Sequence, residues 1–306
     1  MARREKLADR SGVRTATAWR ELMIPAGSDG RMICWLILLT GAYPLWAAWR
    51  ANRRTTLVQA VQWSMIAWAA WGAALAASVW PGPAEATARY VALSLTGCAG
   101  VAVLGARRPG VTAWNFVVVG LLAVLLWPLV EGGRDLSPLR LLFLGAVLAV
   151  GLLNYLPTRL APAVVLLGIG CATEFAALAV EVETGARAQA VLVGRCLLAI
   201  SPWVALARSY RSKRVRSEFD RLWLSFRDRF GLFWGQRLRE QFNRSAAHAG
   251  WPVHLAWRGL RRLREDSGTA ITLEDQKEMV ATLRALLKRF GPDERKPPAN
   301  GVVPSG

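Results

Sequence analysis

Long apolar runs, separated by short polar joins, occupy the first two thirds of the chain. A membrane-spanning helix needs about 20 mostly apolar residues, and seven stretches approach that length. They cover residues 32–49, 57–79, 90–106, 111–130, 139–155, 160–180 and 188–207. Arginines stand in the joins, and tryptophans gather near the ends of the runs, where an indole suits the headgroup boundary. The pattern predicts an all-α, multipass transmembrane bundle of about seven segments.

Beyond Ala207, apolar residues recur every three or four positions among charged ones, which is typical of an amphipathic helix. Its bulky residues form an aromatic stripe: Phe219, Trp223, Phe226, Phe230 and Trp234. Such a stripe suits a bilayer surface, but the core of a helical unit is favoured because further amphipathic helices follow. Since neither Gly nor Pro interrupts residues 203–230, we expect the last apolar segment to continue into this helix without a break.

Two more helices complete the predicted C-terminal unit. One begins near Pro252, which suits a first helical turn. Its apolar face contains Val253, Ala256, Leu260 and Leu263. The last helix starts at a capping pattern of Thr272 and Asp275 and stops at the Gly-Pro pair 291–292. The expected organisation is a basic tail at 1–31, a transmembrane domain at 32–207, a small three-helix domain at 208–290 and a disordered tail at 291–306.

Charge predicts which side of the membrane each part occupies. The chain has 39 Lys and Arg against 21 Asp and Glu, and 21 basic but 11 acidic residues follow Ala207. Because basic segments stay in the cytoplasm, we expect the C-terminal domain at the cytoplasmic face of the cell membrane. Seven spans would place the basic N-terminal tail outside, against that tendency. If the first segment, which contains Gly41 and Pro44, were re-entrant or interfacial, both ends would stay inside and six spans would remain; seven is favoured.

A polybasic cluster follows the last apolar segment. It comprises Arg208, Arg211, Lys213, Arg214 and Arg216. Each basic residue at this position is expected to add about 1 kcal/mol of attraction to an anionic leaflet. Anionic lipid headgroups are therefore the predicted partner of this cluster. Nucleic acid is not favoured, because acidic residues are interleaved and no RNA-binding signature is present.

Two ionisable residues, Glu174 and Arg195, stand inside apolar segments. The two segments are expected to be antiparallel neighbours, and at a rise of about 1.5 Å per residue both side chains lie about 10–12 Å from the same membrane face. An isolated charge at that depth costs up to about 3 kcal/mol, so we expect an intramembrane ion pair. The alternative has Arg195 extending toward Glu181 or Glu183 while Glu174 stays protonated.

Residues suited to catalysis or metal binding are sparse. The two histidines, His248 and His254, have no cysteine beside them, so neither a metal site nor a cofactor is expected. The four cysteines all lie in apolar runs, where thiols behave as small hydrophobes: Cys34, Cys98, Cys171 and Cys196. An intramembrane cysteine enzyme at Cys98 or Cys196 is a weaker hypothesis, because no nearby histidine would activate the thiol.

These features favour a non-enzymatic scaffold, assembly factor or accessory subunit, whose partners are the lipid bilayer and other membrane protein subunits. A small transporter or channel component is the alternative. Its polar path would be lined by Glu174, Arg195, Asn115, Asn154, Gln59 and Gln62. The two hypotheses differ in whether these groups converge on one water-filled cavity.

Overall fold

The computed structural model describes residues 28–79, 82–106, 113–131, 137–179, 185–210, 217–263 and 272–291. Positions 211–216 of the polybasic cluster, Glu181 and Glu183 lie outside these ranges. So do residues 1–27 of the predicted N-terminal tail and 292–306 of the predicted C-terminal tail. Within the described ranges the chain forms ten α-helices and one β-hairpin.

Each of the seven predicted apolar runs forms helix in the structure. The first run is divided into α1 (Ser28–Thr40) and α2 (Ala42–Asn52), and the others form α3 (Val58–Ala77), α4 (Pro83–Ala102), α5 (Ala113–Val130), α6 (Pro138–Tyr155), α7 (Ala161–Ala179) and α8 (Gly185–Tyr210). Among the described residues, five helical segments are long and apolar enough to cross a membrane: Met32–Asn52, Pro83–Gly105, Pro138–Tyr155, Ala161–Ala179 and Arg187–Tyr210. The chain is thus a helical membrane protein, and the count of seven spans stays a prediction.

Large apolar side chains cover the outside of this bundle. Phe116 is 74% exposed, Val130 76% and Leu139 74%. Water-soluble proteins rarely leave such extensive apolar surface uncovered, whereas lipid tails solvate it. The surface therefore agrees with a bundle that is embedded in a bilayer.

The first apolar segment bends at Gly41 but stays helical. Gly41 has φ −62° and ψ −15°, and its N–H donates to the Ile37 carbonyl at 3.0 Å. Pro44 has no N–H to donate to the preceding turn. The Trp68 indole of α3 donates to the Leu38 carbonyl at 3.1 Å, and a Cβ on Gly41 would collide with the Trp68 ring. Glycine at this position therefore permits close packing of α3 against the bend.

The first segment runs parallel to α8. Cys34 lies against Cys196. Further along both helices, Tyr43 stacks on Trp203 with ring centroids 6.0 Å apart. Because the contacts advance in the same direction along both chains, α1–α2 and α8 point toward the same side of the bundle.

Glycines allow the closest helix crossings. Where α4 crosses α6, a Cβ on Gly100 would lie 2.6 Å from the Cα of Gly151. Where α7 meets α8, a Cβ on Gly170 would lie 2.7 Å from the Gly194 carbonyl oxygen. Small residues at such crossings bring backbones into van der Waals contact, which is a main source of helix association in lipid.

The C-terminal region starts with a new helix, α9 (Glu218–His248). The prediction of one unbroken helix through residues 203–230 is wrong. Ser217 has extended backbone angles (φ −130°, ψ 156°), and its hydroxyl accepts a hydrogen bond from the Asp220 N–H. A serine N-cap accepts a hydrogen bond from an amide that has no partner within the helix. This hydrogen bond stabilises a new helix start at Glu218.

A β-hairpin replaces the helix that was predicted to begin near Pro252. Its strands are β1 (Val253–Ala256) and β2 (Gly259–Arg262), paired antiparallel. The prediction is wrong because burial alternates from one residue to the next, as in a β-strand: Val253 and Leu255 are buried while His254 is exposed. Gly259 adopts φ +133°, an angle that favours glycine and lies outside the helical region.

Asn243 of α9 anchors the hairpin. The Leu255 N–H donates to Asn243 Oδ1 at 2.7 Å, and Asn243 Nδ2 donates to the Leu255 carbonyl at 3.2 Å. The amide side chain thus satisfies both backbone groups of an edge-strand residue. The region therefore contains two helices and a hairpin rather than the predicted three helices, and we refer to residues 217–291 as the C-terminal module.

The last helix, α10 (Leu273–Leu287), has the predicted start. The Thr272 hydroxyl accepts from the Asp275 N–H at 3.1 Å, while the Asp275 carboxylate accepts from the Thr272 N–H at 2.9 Å. The hydrogen bonds from Thr272 lower the pKa of Asp275. This reciprocal capping box is confirmed, and Gly291 follows a short 3₁₀ turn, Lys288–Phe290, at the other end.

The aromatic stripe forms the core of the module, as favoured from the sequence. All five side chains are at most 9% exposed: Phe219, Trp223, Phe226, Phe230 and Trp234. Phe290, which follows α10, lies among them, with its ring centroid 4.8 Å from Phe226, 5.0 Å from Phe230 and 5.4 Å from Trp234. The core interpretation is therefore confirmed over lipid contact for these residues.

The glycine crossing of α4 and α6 gives a stability prediction. Gly100→Ala should lower the free energy of unfolding of the detergent-solubilised chain by about 1–3 kcal/mol, because the added methyl group meets the backbone of α6, which cannot move aside. Gly120→Ala on α5 is the matched control, since a Cβ there has nothing within 4 Å. It should be neutral or stabilise by up to about 1 kcal/mol through helix propensity. Equal effects of the two substitutions would contradict the crossing.

Candidate functional site

Four charged side chains meet between α4, α7 and α8. They form a closed charge ring, in which acidic and basic groups alternate: Glu85 and Arg89 from α4, Glu174 from α7 and Arg195 from α8. Arg195 Nε lies 2.6 Å from Glu174 Oε1, and Arg195 Nη2 lies 3.0 Å from Glu85 Oε1. Arg89 Nη2 lies 2.8 Å from Glu85 Oε1, and Arg89 Nε lies 2.6 Å from Glu174 Oε2.

The local sequence of α4 explains why two of these groups share one face. Pro83 occupies the first turn, where its missing N–H leaves no unpaired donor. Glu85 lies in the same turn, where a negative charge is favoured by the helix dipole. Arg89 follows four residues later, so the two side chains point the same way and pair.

Three of the four side chains of the charge ring are buried, the Glu85 side chain is 18% exposed, and the four formal charges cancel. Glu174 is fully buried, Arg195 is 8% exposed and Arg89 is 9% exposed. Each arginine faces two carboxylates, so the attraction is shared rather than confined to one pair. The Arg89 Nε–Glu174 Oε2 contact is close but lacks hydrogen-bond alignment, and it therefore acts mainly through charge. Such an arrangement is stable only while every member is present.

The structure brings Glu174 and Arg195 into contact, with Arg195 Nε 2.6 Å from Glu174 Oε1. Sequence reasoning missed Glu85 and Arg89, because the third apolar run was taken to begin at Tyr90. The signal that could have revealed them is a carboxylate and a guanidinium four residues apart, directly after Pro83. Both residues belong to the helix that spans Pro83–Gly105.

The other polar residues proposed for a transport path lie in separate places. Asn115 Oδ1 accepts from Trp63 Nε1 at 3.3 Å. Asn154 contacts α9 at the other end of the bundle, while Gln59 is half-buried and Gln62 is exposed. A cavity of about 10 Å³ beside Arg195 is lined mostly by apolar side chains. It is about the size of one water molecule, and these polar groups do not converge on it.

Asn154, at the end of α6, fills a gap in the backbone of α9. Gly231 has φ +79°, which breaks the helical hydrogen-bond pattern of α9. Asn154 Nδ2 donates to the Phe230 carbonyl at 3.4 Å, and the Phe233 N–H donates to Asn154 Oδ1 at 3.1 Å. A Cβ on Gly231 would lie 2.6 Å from Asn154 Oδ1. The fully buried amide thus replaces the missing backbone partners.

Further hydrogen bonds join the module to the same end of the bundle, and we call the whole contact the docking seam. The Tyr155 hydroxyl donates to the Arg229 carbonyl at 2.9 Å, and Trp234 Nε1 donates to the Val103 carbonyl at 3.1 Å. Trp257 Nε1 donates to the Pro157 carbonyl at 2.7 Å. An ion pair between Arg159 and Asp228, 3.3 Å apart, lies beside them. The module is therefore packed on the bundle rather than suspended from it.

The remaining candidate residues occupy ordinary environments. Arg208 is exposed, and its Nε donates to the Arg159 carbonyl at 3.4 Å. His248 and His254 are both exposed. In the part of the chain that the structure describes, no group of three or more His, Cys, Asp or Glu could hold a metal ion. The four cysteines are buried free thiols.

Comparison with protein-family models, curated proteins and solved structures finds no match for this chain. The charge ring and the docking seam are therefore the two features from which function can be argued.

The charge ring predicts strong non-additivity. Glu174→Gln and Arg195→Gln should each lower the free energy of unfolding by about 3–5 kcal/mol, because each removes one charge from the buried ring and leaves the opposite charges unbalanced. The double variant should lose about 1–3 kcal/mol less than the sum of the two. Thermal unfolding of the four proteins in one detergent measures this difference.

The exposed pair of Glu131 and Arg140, 2.7 Å apart, is the control for that cycle. Its side chains are 44% and 36% exposed, and solvent screens their attraction. Glu131→Gln and Arg140→Gln should therefore combine almost additively. Additive effects at Glu174 and Arg195 as well would show that the charge ring contributes nothing as a unit.

Proposed function

We propose that this protein is a non-enzymatic membrane scaffold that holds its basic C-terminal module in a fixed orientation at the cytoplasmic face, as an accessory or assembly subunit of a larger membrane complex. The observation that carries the proposal is the docking seam. Asn154 enters the break at Gly231, and Trp234 and Trp257 donate to backbone carbonyls of the bundle. A platform of this kind presents a surface whose position relative to the membrane is fixed.

The use of the intramembrane polar groups supports a scaffold over a transporter. The four charges of the ring neutralise one another, and Asn154 is engaged with α9. A transport path needs groups that exchange partners with a solute along a wet cavity. The cavity beside Arg195 has a volume of only about 10 Å³. The transporter hypothesis therefore needs a second conformation, whereas the scaffold hypothesis does not.

The cysteine-enzyme hypothesis has less support. Cys98 is fully buried with its thiol 4.0 Å from the Val118 carbonyl, and Cys196 lies against Cys34. A nucleophilic thiol needs a base or a cation directed at its sulfur. The nearby cation, Arg195, is held by two carboxylates.

Seven crossings are the topology that these contacts support. The module contacts the end of α4 at Val103, the end of α6 at Tyr155 and the start of α3 near Thr56. The module thus contacts the C-terminal ends of α4 and α6 and the N-terminal end of α3, as expected when consecutive helices cross the membrane in opposite directions. Because α1–α2 run parallel to α8, the N-terminus belongs on the face opposite the module. The basic content after Ala207 favours the cytoplasm for the module.

Cysteine labelling can test this topology, because the four native cysteines are buried. A membrane-impermeant maleimide added to intact cells should label Ser11→Cys, which precedes the first span, but not Lys288→Cys in the module. Both sites should react after the cells are opened, which controls for accessibility. Protection of both sites in intact cells would support six spans, and labelling of Lys288→Cys alone would place the module outside.

The scaffold role predicts a partner whose binding requires the docking seam. A membrane protein recovered in stoichiometric amount with the full chain in mild detergent should be lost from Asn154→Leu, which keeps the module but removes its amide contacts. Asn115→Leu is the control, because the Asn115 amide accepts its hydrogen bond from Trp63, away from the seam. Equal recovery with both variants would contradict the proposal. Solute flux through proteoliposomes that Glu174→Gln abolishes would establish the transporter alternative.

A further inference from the structure

A row of exposed aromatic side chains joins α2 to α8 on the outside of the bundle. Tyr43 of α2 stacks on Trp203 of α8 with ring centroids 6.0 Å apart, and the Tyr43 ring lies 6.1 Å from that of Trp46. The Arg50 guanidinium lies over the Trp46 ring, 5.4 Å from its centroid. These four side chains form a continuous row that ends in a cation, and we call it the aromatic array.

The aromatic array is open surface rather than a cavity. Tyr43 is 53% exposed, Trp46 is 43% exposed, Trp203 is 36% exposed, and Arg50 is also exposed. A ligand can therefore lie along the row without entering the protein interior. The contacts between the rings restrict their orientations, so the surface is already formed before a ligand binds.

The two helices place the array at a defined depth. Its rings belong to the segments Met32–Asn52 and Arg187–Tyr210, which are both long and apolar enough to cross a membrane and which run parallel. At a rise of about 1.5 Å per residue the rings lie about 9–14 Å before the C-terminal ends of these segments, whereas Arg50 lies in the last turn of α2. The row therefore extends from the depth of the acyl chains to that of the headgroups.

The module identifies which leaflet the array faces. The Thr56 hydroxyl, in the short connection after α2, donates to the Phe290 carbonyl of the module at 3.5 Å. The C-terminal end of α2 and the module thus lie at the same face of the bundle. The array consequently faces the leaflet on the module side.

The polar groups of the array are open to a ligand. The Tyr43 hydroxyl and the indole N–H groups of Trp46 and Trp203 have no hydrogen-bond partner in the part of the chain that the structure describes, and Arg50 has no ion pair there. A guanidinium that stacks on a ring still presents the N–H groups along its edge. The array therefore combines apolar ring faces with hydrogen-bond donors and one positive charge.

We propose that the aromatic array binds one anionic phospholipid from the leaflet on the module side. The phosphate accepts hydrogen bonds from Arg50, and the glycerol end and the start of one acyl chain lie along the rings of Trp46, Tyr43 and Trp203. Arginine suits this role because its planar group donates parallel hydrogen bonds to phosphate oxygens. The site goes beyond the scaffold role, since it assigns a ligand class to one surface of the bundle.

The geometry favours a phospholipid over other occupants. Tryptophan and tyrosine are common at membrane boundaries, but these rings contact one another across two helices and end at a cation. Inorganic phosphate would use Arg50 alone, whereas a phospholipid uses the cation and the rings together. A partner helix approaches most closely over small residues, and the bulky rings of the array offer none.

Lipid retention by the purified full chain tests the role of the cation. Native mass spectrometry of the chain in detergent, titrated with phosphatidylglycerol or phosphatidylcholine, should show preferential retention of phosphatidylglycerol. In Arg50→Gln the apparent affinity for the tightest-bound phosphatidylglycerol should fall about fivefold or more, because one cation at the headgroup level is lost. Arg54→Gln is the charge control: Arg54 is exposed just beyond the same helix end but is not part of the array, so this variant should lose less affinity.

A second pair of variants tests the role of the rings. Trp203→Leu keeps every charge and an apolar surface but removes one ring of the row, and it should lower the same affinity about twofold or more. Trp127→Leu is the matched control, because Trp127 is 57% exposed and its Nε1 donates to Glu131 at 2.7 Å, outside the array. It should retain phosphatidylglycerol as the wild type does. Similar thermal stability of all five proteins excludes unfolding as the cause of lipid loss.

Three results would overturn the proposal. The first is an equal affinity of the wild type and Arg50→Gln for phosphatidylglycerol, or an equal loss in Arg50→Gln and Arg54→Gln. The second is displacement of the lipid by an equal concentration of inorganic phosphate, which would show that Arg50 recognises a free anion. The third is a lipid-free dimer of the chain that Trp203→Leu converts to a monomer, which would make the array an interface between copies. Each result concerns the purified chain alone, so it is distinguishable from failure of the partner test for the scaffold.

Discussion

Hydrocarbon supplies no water to a charged side chain, so each charge inside the bundle requires a partner of opposite sign. Glu174 on α7 is fully buried and meets this requirement through Arg89 of α4 and Arg195 of α8. These contacts fix how the three helices are rotated about their axes, a property that apolar packing specifies weakly because many apolar side chains are interchangeable. The glycine contacts then set how closely the helices approach.

The same constraint acts where α9 meets the bundle. The positive φ at Gly231 leaves backbone groups without helical partners, and Asn154 supplies the donor and the acceptor that they need. Polar residues therefore specify geometry at both ends of the bundle, the charge ring at one and the amide at the other. Since these groups are satisfied by neighbours, they are better suited to holding a shape than to passing a solute from site to site.

The sequence predicted the helical membrane architecture because apolar runs bounded by arginine and tryptophan depend on lipid solvation alone. It also indicated that Glu174 and Arg195 share one depth, since helical rise fixes that quantity. It did not reveal Glu85, because a carboxylate at a helix start is ordinarily a surface residue and its inward direction depends on the packing of α4. The hairpin after Pro252 was misassigned because each strand has only four residues, and so short an alternation of apolar and polar residues is easily taken for a helical pattern.

One helix connects the features on which these proposals depend. In α4, Glu85 and Arg89 belong to the charge ring, Gly100 crosses α6, and the turn that follows places the Val103 carbonyl against Trp234 of the module. Eighteen residues separate Glu85 from Val103, about 27 Å at the rise of an α-helix. A helix whose neighbours are fixed at both ends and at its crossing has little freedom to tilt or rotate. Helix α4 thus joins the charge ring at one end of the bundle to the contact with the module at the other end.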